Sequence, residues 1–108
     1  VSNNDVLSSV NLSTNTALEL FWCYNDPLMT SLDFTNNSAL IEIDANNCAL
    51  TSLDIKNGNN TNMPAGDFDV TSNASLTTTN CDNITTAAAT YTVAAGCIDA
   101  TMTTWTAI

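Results

Sequence analysis

Apolar residues return along this chain at a fixed interval. Met29-Thr-Ser-Leu-Asp-Phe34 reappears as Leu50-Thr-Ser-Leu-Asp-Ile55, and a looser copy, Leu7-Ser-Ser-Val-Asn-Leu12, precedes both. The three starts lie 22 and then 21 residues apart. Inside each interval sits a shorter unit of eleven. Val1, Leu12, Cys23, Phe34 and Ala45 are evenly spaced at eleven, and Ile55 follows at ten. A second apolar residue comes six positions later, at Leu7, Leu18, Met29 and Leu40, and a third nine positions later, at Val10, Phe21, Leu32 and Ile43. In Leu-Asp-Phe and Leu-Asp-Ile, alternation puts the apolar residues on one face and Asp on the other, so each reads as a short strand with its inner side in the core. A repeat of this length marks an architecture in which no single turn buries its apolar side alone. The pattern therefore predicts an all-β solenoid of 21–22-residue turns with short strands and little or no helix, in preference to a β-sandwich.

Asparagine is locked to the same register. It falls three residues beyond the strand's last apolar position at Asn4, Asn15 and Asn37, and one place earlier at Asn25, Asn47 and Asn57. A short amide there can bond backbone groups where the chain turns, and it tolerates left-handed conformations that most residues avoid. Stacked turn upon turn, Asn4, Asn15, Asn37, Asn47 and Asn57 are expected to form an asparagine ladder.

Composition narrows the class of protein. The chain has 108 residues, 44% of them hydrophobic and 11% charged, and its polarity comes from Thr, Asn and Ser. Formal net charge is −10, with Lys56 the only basic side chain. Such a chain repels a polyanionic duplex and offers no basic cluster that would release counterions from phosphate, which excludes nucleic acid. The same balance excludes electrostatic docking on anionic lipid. No run of 18 apolar residues exists to insert in a membrane. The sparse charge is unusual for a cytosolic surface and points to an extracellular or cell-surface protein. The chain opens in mid-repeat, as a trimmed or excerpted protein would.

The stretch NLSTNTALELFWCYNDPLMTSLDFTNNSALIEIDANNCALTSLDI resembles the leucine-rich-repeat superfamily in its bacterial variant with nested half-repeats, including Cys23 at a recurrent cysteine position. LDIKNGNNTNM, residues 53–63, is similar to a segment near the end of such repeats, and FDVTSNASL, residues 68–76, to a last repeat. The resemblance implies a right-handed coil over residues 1–83 and a cysteine-containing cap over the Ala/Thr-rich residues 84–108. It also implies adhesion, or protein or glycan binding, at a bacterial surface. Related caps carry two cysteines, which fits a disulfide between Cys81 and Cys97; closing that loop would stabilise the end by about 3 kcal/mol. Relatives carry more Lys and Glu on the outer face than the Thr, Ser and Asn found here. The tail matches their cap only loosely.

Catalytic chemistry has few parts to work with. There is no His and no Arg, so serine triads, Cys–His pairs and zinc hydrolysis each lack an essential group. Carboxylates remain at Glu19, Glu42, Asp33, Asp44, Asp54, Asp67 and Asp69, but Asp33 and Asp54 fall one turn apart in the outward position and read as a solvated stripe. No enzyme and no cofactor are expected. Strands one turn apart stand ~4.8 Å from each other, so these carboxylates repel unless screened or bridged, and weak, adventitious Ca²⁺ is the most a metal would do there. Trp22 and Tyr24, opposite in parity to Phe21, would face solvent beside Asp44. With Asp33, Asp44 and Asp54 they form the candidate ligand-binding set, since large rigid rings give contact area at low entropic cost. Packing of Trp22 against a further repeat or another copy is the competing reading. Cys23 and Cys48 stand nearly one turn apart, open to a bridge or to two buried thiols. Asn-x-Ser/Thr triplets at Asn11, Asn36, Asn59, Asn73 and Asn83 admit surface glycans. Two functions compete: a binding domain with a protein or glycan ligand, and a structural subunit that stacks on further copies of itself into a filament.

Overall fold

The computed structural model describes residues 2–63, 67–76 and 79–82. Among them the chain forms six short strands: β1 (Leu20–Trp22), β2 (Ser31–Asp33), β3 (Glu42–Asp44), β4 (Ser52–Asp54), β5 (Phe68–Asp69) and β6 (Thr79–Asn80). A 3-10 turn spans Asn60–Asn62. The strands build two parallel three-stranded sheets, one in the order β1-β3-β5 and the other β2-β4-β6, so the chain visits them alternately. The protein is β-rich with almost no helix. The division at residues 83 and 84 and the cap at 84–108 lie outside the described residues.

Register follows the apolar pattern. In the first sheet Phe21 pairs with Ile43 and Ile43 with Phe68; in the second, Leu32 pairs with Leu53 and Leu53 with Thr79. These central residues are buried while both neighbours of Phe21 and of Leu32 are exposed, as period-two alternation requires. Partners are 22 apart at Phe21 and Ile43 but 25 apart at Ile43 and Phe68. In the second sheet the extra length beyond β4 includes the 3-10 turn at Asn60–Asn62.

The core lies between the sheets. Phe34, Met29, Leu40, Ile43, Leu50 and Ile55 are fully enclosed, and Phe21 meets Phe34 edge to face with ring centroids 5.0 Å apart. The looser first copy, Leu7–Leu12, supplies no strand; its Leu7, Val10 and Leu12 pack half-buried against the end of the core. The column Leu32–Leu53–Thr79 ends in a threonine, buried with no partner for its hydroxyl oxygen among the described residues.

Candidate surface of the first sheet and its supporting turns

Strands β2 to β5 end in the same local device, and Asn11 repeats it ahead of β1. An outward Asp or Asn accepts the backbone N–H two residues on, fixing the direction in which the chain leaves the sheet. Asp33 accepts the N–H of Thr35 at 2.9 Å and its hydroxyl at 2.6 Å, and Asp69 treats Thr71 in the same way at 2.9 and 2.7 Å. Asp54 accepts the N–H of Lys56 at 3.0 Å, and Asn11 that of Ser13 at 3.0 Å. The Thr35 hydroxyl and then its N–H hold the Asp33 carboxyl below the usual range, because both bond the charged form. The stacked carboxylates are also bridged by amides. Asn46 donates to Asp44 and, at 3.5 Å, to Asp69, while Asn80 donates to Asp54 at 3.0 Å. Among the described residues no group of three or more acidic or cysteine side chains is arranged to hold a metal ion.

The asparagines work in two ways. Asn3, Asn25 and Asn47 all have positive φ, at 56°, 60° and 51°, and their side chains form a chain of bonds: Asn25 donates to Asn3 at 2.9 Å and Asn47 to Asn25 at 2.7 Å. Ser72 takes the next left-handed position, φ 58°. A second group turns inward. Buried Asn37 donates to the carbonyls of Leu12 at 3.1 Å and Asn15 at 2.7 Å, and Asn57 donates to the carbonyl of Asn37 at 2.9 Å. Asn73 donates to Ala45 at 2.8 Å and Val70 at 2.9 Å and accepts the Leu50 N–H at 3.0 Å. Of the five residues expected in one ladder, Asn47 lies in the exposed chain of amides, and Asn37 and Asn57 lie in the inward group. Asn15 contributes its backbone carbonyl, and Asn4 accepts the Val6 N–H at 3.3 Å within its own turn.

Asp26 was not apparent from sequence. It sits five residues past the centre of β1, as Cys48 and Asn73 sit past β3 and β5. It is buried, accepts the Asn4 N–H through one oxygen, and its other oxygen has no partner among the described residues. Its place in the register was the only available signal, since an isolated Asp reads as exposed.

Trp22 and Asp44 are direct register partners on the outer face of the first sheet. The indole N–H donates to Glu42 at 2.6 Å, which fixes the ring while leaving it 49% exposed. Leu20, 48% exposed, stands two residues before it on the same face, and Asp69 continues the Trp22–Asp44 column. Glu42 was missing from the candidate set, though alternation places it with Asp44. Tyr24 is half-buried beyond the strand's end. Asp33 and Asp54 pair with each other in the second sheet. The five candidates thus divide between two sheets, with Trp22 and Asp44 together and Asp33 and Asp54 elsewhere.

Cys81 is buried and disulfide-bonded; Cys97 lies outside the described residues. Cys23 and Cys48 are free thiols with their sulfurs 3.9 Å apart. No family model, no curated protein and no solved structure matches this chain. No helix among the described residues is long and apolar enough to cross a membrane.

Proposed function

We propose that this chain is a right-handed, leucine-rich-repeat-like solenoid acting as a non-catalytic extracellular binding domain, with a protein or glycan partner on the outer face of its first sheet. Supporting the solenoid are the alternate visits to two parallel sheets and the repeated strand-end turns. The observation that carries the binding role is the half-exposed indole of Trp22, pinned by Glu42 and flanked by Leu20 and Asp44. A ring held in place loses little freedom on contact, and carboxylates beside it can take hydroxyl or ammonium donors from the partner. The net charge of −10 favours partners that are neutral or basic. The test is fluorescence titration against glycans and candidate proteins in a Trp105→Phe background, where Trp22 is the sole reporter. Binding should change the emission, and Trp22→Ala, its affinity read by calorimetry because no tryptophan remains, should weaken binding at least about tenfold, as expected for an aromatic anchor. Unchanged affinity in Trp22→Ala would remove this face from the function.

A second reading has its own observation. β1 lies at the edge of its sheet, and Leu20, Trp22, Leu28 and Val6 are exposed, Val6 at 82%. Exposed apolar side chains grouped on one surface are where another copy can pack, which supports a subunit that stacks into an extracellular filament. Leu28→Glu should then disperse the assemblies.

A further inference from the structure

Three side chains reveal a rule of the first-sheet and second-sheet turns. Five residues past a strand's centre, the side chain turns inward and donates to the carbonyl of the residue two past the centre of the preceding strand in the same sheet. Asn73 does this to Ala45, and Asn37 to Leu12, two residues past Val10 at the place one turn before β2 where no strand forms. Cys48 occupies the equivalent place after β3, and its thiol donates to the carbonyl of Cys23 at 2.9 Å. A thiol is a far weaker donor than an amide, so the hydrogen bond does not account for cysteine at this place. What distinguishes it is the acceptor residue, which is itself a cysteine. Cys23 is fully enclosed, Cys48 is half-buried, and their sulfurs are 3.9 Å apart.

We infer that Cys23 and Cys48 form a disulfide on exposure to a low-molecular-weight disulfide, cross-linking the end of β1 to the turn after β3 beneath the Trp22 face. The required sulfur movement is about 1.9 Å, from contact to a bond near 2.05 Å. It requires the Cys48 thiol to leave the Cys23 carbonyl. Cys48 is the entry point, because it borders a shallow surface hollow lined by Asp5, Asn25, Pro27 and Asn47. Its thiol loses a proton to water and the thiolate attacks one sulfur of the small disulfide. That S–S bond breaks, and the departing thiolate takes up a proton. Cys23 then gives up its proton and attacks the Cys48 sulfur of the mixed disulfide, releasing the second small thiol. Two protein thiols and one small disulfide become one protein disulfide and two small thiols. Burial pushes both thiols up, and at Cys23 the neighbouring Cys48 and then the Asp26 carboxylate add to it, which makes the exchange slow at neutral pH.

The test treats the full chain with oxidised glutathione, quenches with an alkylating agent and maps the peptides by mass spectrometry. The expected product is a peptide pair joined through Cys23 and Cys48, with intact mass lower by about 2 Da. The thermal midpoint should rise by several degrees, and it should not rise in Cys48→Ser given the same treatment. Cys48→Ser should yield no cross-link and leave Cys23 alkylatable only after unfolding. The inference is overturned if Cys48 stops at the glutathione adduct, if both thiols stay free, or if either pairs with Cys81 or Cys97.

Discussion

Asn73 uses both ends of its amide, donating to the carbonyls of Ala45, Val70 and Thr71 and accepting the Leu50 N–H while almost completely buried. Alanine there strands backbone groups that no water can reach, so Asn73→Ala should cost about 3 kcal/mol in urea unfolding. Asn37 bonds only through its nitrogen, and its oxygen is buried without a partner among the described residues. Asn37→Ala should therefore cost less than Asn73→Ala, and the order of the two losses is the sharper check. Thr79 inverts the argument. Its hydroxyl is buried with no partner among the described residues, in a column otherwise made of leucines, so Thr79→Val should be neutral or stabilise by about 1 kcal/mol in the same assay. Asp33 is exposed, and its low carboxyl titration rests on Thr35. Thr35→Val should move it up toward about 3.9 in an NMR titration. Because the folded value is lowered, whatever stability this contact adds is present above that pH and fades as pH falls through the folded value.

Strands β1 to β4 were legible because Leu-Asp-Phe and its relatives state the alternation outright. The strand β6 was not, since Thr79 and Asn80 carry no apolar signal and are placed by pairing with Leu53 and Asp54. The outward aspartates looked like a free stripe from sequence; the structure commits one oxygen of Asp33, Asp54 and Asp69 to the turn that ends each strand. That use was readable in the recurring Asp-x-Thr of residues 33–35 and 69–71, but only once the strand ends were known. Asparagine at two offsets was visible, yet which of them bends left-handed depends on backbone angles that composition does not carry. The exposed row Asn3–Asn25–Asn47 makes a prediction about its turns. Asn25, with φ 60°, should accept Gly at small cost, whereas Asn25→Val should lose about 2 kcal/mol more, measured by thermal melting, because a β-branched residue resists that conformation.

The described residues form a β-rich body whose two sheets share one core, in a strongly negative chain, with the Trp22 ring held in view. Its pH response should be set at the alkaline end by the cysteines. Burial, and then the nearby Cys48, push the Cys23 thiol up, so the folded chain keeps a proton that the unfolded chain releases above about pH 8.5. Stability of the reduced protein is thus full below that pH and falls as pH rises further. Melting temperatures between about pH 7 and 10 should show the fall, and Cys23→Ala should flatten it.

A binding domain with net charge −10 should stay a single chain, since mutual repulsion opposes stacking. Static light scattering at neutral pH, with negative-stain microscopy of the same sample, tests this directly. Discrete particles of single-chain mass are expected, with Trp22 open to a soluble quencher. Long uniform fibres with Trp22 protected from the quencher would contradict the binding role and make self-assembly the function.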